Sequence, residues 1–132
     1  MKTLNTLITV SHWVTTIHEQ ISSGSGVSTK ATPYTKTGTR TQTAKNSSNV
    51  TLYSFTVKGT YTVNPGVSAT CTASSYSHTI SNSDWYLDSA SASRTGNKAM
   101  ATGTFKRKIL FIVVETQVLS PTLTCDKNGN LS

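Results

Sequence analysis

Carboxylates are scarce in this sequence. Five acidic residues stand against twelve lysines and arginines, a net charge of +7 over 132 residues. They are Glu19, Asp84, Asp88, Glu115 and Asp126, and only Asp84 and Asp88 lie close together, on either side of Trp85. On one strand that spacing places them about 13 Å apart at about 3.3 Å per residue, too far for either geometry of glycoside hydrolysis. Cysteine is limited to Cys71 and Cys125, and the histidines to His12, His18 and His78. They show neither a C-x-x-C redox pair nor zinc-ligand spacing. Glycine forms no phosphate-binding loop, and Gly24-Ser25-Gly26 lacks the spacing of a nucleophile elbow. No apolar run reaches the eighteen or so residues of a membrane-spanning helix. These absences predict a protein that is not an enzyme and holds no cofactor and no metal.

The last eight residues, CDKNGNLS, alternate Asp126, Asn128 and Asn130 like the opening of a calcium loop. Such a loop needs glycine at its sixth position and glutamate at its twelfth. Counted from Asp126, glycine falls at the fourth position and the sequence reaches only Ser132, the seventh. The segment reads instead as a strand end followed by an Asn-Gly turn.

Serine and threonine fill the space left by charge, which at 13% is about half the usual share. A polar chain rich in β-branched threonine favours strands over helices. The clearest period-2 pattern runs from Tyr53 to Val63: Tyr53, Phe55, Val57, Tyr61 and Val63 share one parity, and Gly59 on that parity predicts a bulge or a close approach. Asn64-Pro65-Gly66 turns the chain, and Val67, Ala69, Cys71 and Ala73 continue inward before the phase shifts to Tyr76, His78 and Ile80. WYLDSASAS, KAMATGTF and ETQVLSPTLTCD read as further strands, and TGTRTQTAK as a positively charged edge strand. The expectation is an all-β fold, an antiparallel β-sandwich of immunoglobulin-like or similar Greek-key type, over residues 26–132. Residues 1–25 would form an N-terminal arm, helix or strand, with a linker; its apolar residues fit either period, and residues 1–16 read equally as an altered signal segment.

Both cysteines fall on inward parities, which predicts a Cys71–Cys125 disulfide and hence an oxidising, extracellular compartment. The aromatic residues Trp85, Tyr86 and Tyr76 are candidate stacking faces for cell-wall or host carbohydrate, with core packing the blander reading of Trp85. The other candidate is KRKILFIVV, where the unbroken apolar run Ile109–Val114 follows Lys106, Arg107 and Lys108. As a buried strand it would be structural, which is the expectation here. As an exposed tip, with the three cations and Phe111 at the surface, it would suit an anionic membrane. The remaining cations are scattered and no nucleic-acid motif accompanies them, so nucleic acid is not expected as a partner.

Cys71, Trp85 after a polar turn, SRTGNKAMATGTF and the ending PTLTCDKNGNLS together resemble small exported, uncharacterised β-rich proteins of Gram-positive bacteria, over roughly residues 59–132. The resemblance implies export and an all-β fold, and supplies no activity. The chain is therefore expected to be a secreted or cell-surface binding or adhesion module for carbohydrate or an anionic cell-surface polymer. The alternative is a secreted toxin or antimicrobial protein acting at anionic membranes.

Overall fold

The computed structural model describes residues 10–21 and 32–132, and every regular element among them is a strand. β1 (His12–Ile21), β2 (Tyr34–Lys45), β3 (Thr51–Asn64) and β4 (Ser68–Ile80) form one antiparallel sheet in chain order. β5 (Trp85–Thr95), β6 (Lys98–Ile109) and β7 (Ile112–Leu119) form a second, and the short β8 (Thr122–Thr124) continues along β6 beyond β7. Apart from β8, which pairs with β6, consecutive strands within each sheet are neighbours, so the expected Greek-key crossover is not among the described strands. The signal-segment and linker readings of residues 1–9 and 22–31 lie outside the described residues.

The alternation along β3 does the work its sequence suggests. Tyr53, Phe55, Val57, Tyr61 and Val63 are fully buried, while Ser54, Thr56 and Thr60 face outward. The opposing sheet answers large rings with small residues: β6 turns Ala99, Ala101, Gly103 and Phe105 inward. A Cβ on Gly103 would stand 2.8 Å from the Phe55 ring, and one on Gly59 would meet Ala99 at 2.7 Å. Gly59 is thus a close approach, and the bulge falls one step on, between Thr60 and Tyr61. Tyr53 stacks on Phe105 with ring centroids 4.1 Å apart and tilts against Trp85 at 4.9 Å. One core therefore joins the two sheets.

Three expectations about strands change. TGTRTQTAK lies inside β2, which is paired on both sides, because the N-terminal segment supplies the edge as β1. The helix-or-strand ambiguity of that segment is resolved as strand over His12–Ile21. ETQVLSPTLTCD is interrupted at Ser120-Pro121, since proline has no amide to donate to the ladder; the Pro121 carbonyl still accepts from Ala101 at 3.2 Å.

The disulfide is not formed. Cys71 and Cys125 are both buried and both free. Inward parity placed them in one core but said nothing about separation, and the end of the β5–β6 hairpin stands between their strands. The Cys71 amide donates to the Gly96 carbonyl and the Cys125 amide to that of Asn97. The thiols turn to backbone oxygens instead, Cys71 to Ala73 and Cys125 to Asp126.

Candidate functional site

Ile109 and Ile112 close a two-residue hairpin whose loop is Leu110-Phe111. Both loop residues take the left-handed backbone, with φ of 49° and 70°. A right-twisted hairpin favours that turn, but it normally recruits asparagine and glycine, because a Cβ makes the conformation costly. Here the two positions hold large apolar side chains, Leu110 85% and Phe111 93% exposed. Ile109, Ile112, Val113 and Val114 are exposed as well. The run expected to be a buried strand is therefore an open tip. It is so because β6 and β7 run on past the second sheet's packed part, where, among the described residues, no opposing strand covers their ends.

The cationic cluster before the tip is divided by strand parity. Arg107 continues the inward series of Ala99, Ala101, Gly103 and Phe105, and is buried with its Nε 3.1 Å from the Glu115 carboxylate. Gln117 donates to the other oxygen of Glu115 at 3.1 Å. Arg107 is thus part of an interior ion pair and not of a basic collar. Lys106 and Lys108 remain outside. Lys106 pairs with Asp88 at 3.3 Å, and the Lys108 ammonium sits 4.8 Å from the centre of the Tyr86 ring. The Lys108 amide donates to the Asp84 carbonyl, which ties the base of the tip to the β4–β5 turn.

The aromatic candidates do not assemble into a platform. Trp85 is 2% exposed, wedged against Tyr53. Tyr76 is exposed on β4 and leans on Phe55, and Tyr86 is partly covered by Lys108. Asp126 holds its own turn: one carboxylate oxygen accepts the amides of Asn128 and Asn130, the other the Asn130 side chain. Those bonds, the Asn130 amide foremost, hold its carboxyl below the usual aspartate range. Among the described residues no group of three histidines, cysteines or carboxylates is placed to hold a metal. Among the described residues no helix is long and apolar enough to cross a membrane, which says nothing about strands.

Sequence reasoning missed the inner margin formed by β1 and β2. Trp13 and Ile17 share the parity that faces inward, opposite Ala44 and Arg40, yet each is 40% exposed. Burial beneath this margin pushes the ionisation of the Tyr53 hydroxyl far up. The signal existed in the spacing of Trp13 and Ile17, but an unplaced arm gave no face to which it could be referred. No family model matches the chain, and neither a curated protein nor a solved structure matches it significantly.

Proposed function

We propose that this protein is a non-enzymatic module that docks on an anionic membrane surface through the β6–β7 hairpin, with the two antiparallel sheets acting as the layers of a sandwich that holds the tip. The carrying observation is the Leu110-Phe111 turn. Two strained, bulky, solvent-exposed residues stand where asparagine and glycine would stabilise the hairpin better, so folding alone gives no reason for them. Transfer into the headgroup region does, since burying each such side chain contributes about 1.5–3 kcal/mol. Lys108 adds about 1 kcal/mol at an anionic surface, whereas the charge of Lys106 is balanced by Asp88. The sum, roughly 4–7 kcal/mol, corresponds to dissociation constants between about 1 mM and 10 μM. Binding through one tip is then reversible and sensitive to salt.

Export to a cell surface is part of this reading and rests on the resemblance of residues 59–132, since the free thiols withdraw the argument from a disulfide. The carbohydrate reading keeps only Tyr76 and Tyr86, with Trp85 enclosed. Co-sedimentation with vesicles containing one third phosphatidylglycerol, compared with pure phosphatidylcholine, tests the membrane reading. Binding to the anionic vesicles alone, lost in Phe111→Ala and in high salt, is expected. Glycan binding together with silent vesicles would transfer the assignment to an adhesion module.

A further inference from the structure

All five carboxylate side chains of this protein are placed away from the outer face of the first sheet. Glu19 turns inward to Lys36 at 3.2 Å, Asp88 pairs with Lys106, and Glu115 with Arg107. Asp126 is bound within its own turn, and Asp84 lies in the turn between β4 and β5. The outer face of β1–β4 presents hydroxyl groups in register instead. Rows run straight across the strands: His18, Thr39, Lys58 and Ser75 in one, Thr37, Thr60 and Ala73 in the next. With neighbouring strands about 4.8 Å apart, the first row spans about 14 Å.

These hydroxyls are not equivalent. Toward the β2–β3 turn they satisfy one another, Thr41 with Thr56 at 2.8 Å and Ser54 with Thr79 at 2.6 Å. Around Lys58 they do not. The side chains of Thr39, Thr60 and Ser75 and the Lys58 ammonium have no protein partner among the described residues. Two hollows flank that lysine. One, of about 220 Å³, opens toward β1 beside His18 and Thr39, with Glu19 at its rim held by Lys36. The other, of about 170 Å³, opens toward β4 beside Ser75, at the bulge that follows Thr60. An exposed cation without a counter-charge, set among unbonded hydroxyls, is complementary to an anion that carries hydroxyls of its own.

We propose that this groove binds an acidic glycan, a chain of sugars in which single carboxylates alternate with neutral rings. A uronate carboxylate pairs with Lys58, while Thr39, Thr60 and Ser75 exchange hydrogen bonds with the hydroxyls of the rings on either side. Each hollow is smaller than the roughly 300 Å³ at which drug-sized pockets begin, so it has room for one ring of a chain that continues across the face. The single lysine sets the charge density. A polyphosphate or a nucleic acid, charged at every unit, would leave most of its charges unanswered here. An ion pair on an open face is weak and screened by salt, so binding is reversible.

The groove lies on the sheet that does not carry the membrane tip, and the test separates the two. The probe is a hyaluronan tetrasaccharide, alternating glucuronate with N-acetylglucosamine, titrated into the full chain and followed by amide NMR. Chitotetraose is the neutral control, and a heparin tetrasaccharide the densely charged one. Hyaluronan should move the amides of Thr39, Lys58, Thr60 and Ser75, less so as salt is raised. Lys58→Gln should weaken its binding at least tenfold and leave binding to anionic vesicles unchanged. Thr39→Val with Thr60→Val should weaken it at least threefold without lowering the melting temperature, and Phe111→Ala should leave it unchanged. No binding of hyaluronan, or equal binding of chitotetraose, would overturn the proposal. Tighter binding of the heparin fragment would also overturn it, since the surface would then be answering charge alone. So would loss of hyaluronan binding in Phe111→Ala, which would move the glycan to the tip.

Discussion

Cys71 and Cys125 flank one turn and are held there by it. The turn's consecutive carbonyls, Gly96 and Asn97, accept the two cysteine amides at 2.8 and 3.1 Å. The Cys71 carbonyl in return accepts from Arg94 at 3.0 Å, and that of Cys125 from the Asn97 side chain at 2.6 Å. Four hydrogen bonds thus fix the backbones of two residues whose thiols remain free, and bridging them would require this end of the core to rearrange.

Both thiols should resist alkylation in the folded protein and react in denaturant, with intact mass unchanged by reductant. Burial pushes the ionisation of both to higher pH, as it does for Tyr53 and Tyr61. Acids that ionise later in the fold than in the unfolded chain contribute stability that is complete below the unfolded value. That contribution is lost as pH rises past it, here from about 8.5 for cysteine. The melting temperature should therefore fall steadily above pH 8.5, and Cys71→Ala should flatten the slope.

At the hairpin, Phe111→Ala should leave thermal stability nearly unchanged, because the ring is 93% exposed. Phe111→Gly should raise it by about 1 kcal/mol, the cost of holding a side chain in the left-handed region. Urea melts would show both. A loss of several kcal/mol in Phe111→Ala would mean that the ring packs inside after all.

Glu115→Ala should be far more damaging than any change at the tip. It leaves the Arg107 guanidinium, 5% exposed, without its carboxylate, and breaking a buried pair from one side costs about 3–5 kcal/mol. The double replacement Arg107→Met with Glu115→Leu should recover most of that in denaturant melts. Failure to recover would show that Arg107 has a role beyond the pair.

Asp126 sets the acid limb. Its carboxyl ionises below the usual aspartate range because the Asn130 and Asn128 amides favour the charged form. The resulting stabilisation is present above about pH 4 and fades as pH falls through the lowered value. Asp126→Ala should lower the melting temperature at neutral pH and reduce its dependence on acid. Calcium should shift neither protein, since the carboxylate oxygens are already bonded within the turn.

The sequence by itself determined the strand content, the inward series Tyr53–Val63, the turn at Asn64-Pro65-Gly66, and the turn after Cys125. Each follows from local chemistry: side chains alternate with period two, proline and glycine fix backbone angles, and an aspartate caps its own turn. It also contained the burial of Arg107, had the parity of β6 been extended by one more step. Only the tertiary structure decided the rest. Parity gives the face a residue points to but not what stands opposite, so two inward cysteines could be in one core and still be kept apart by a turn. The same limit hid the exposure of Ile109–Val114, because an apolar run is a buried strand or an open tip according to whether another strand covers it. It left Trp13 unread as well, since β1 has an inner face only once β2 lies beside it, and the second sheet stops one strand short.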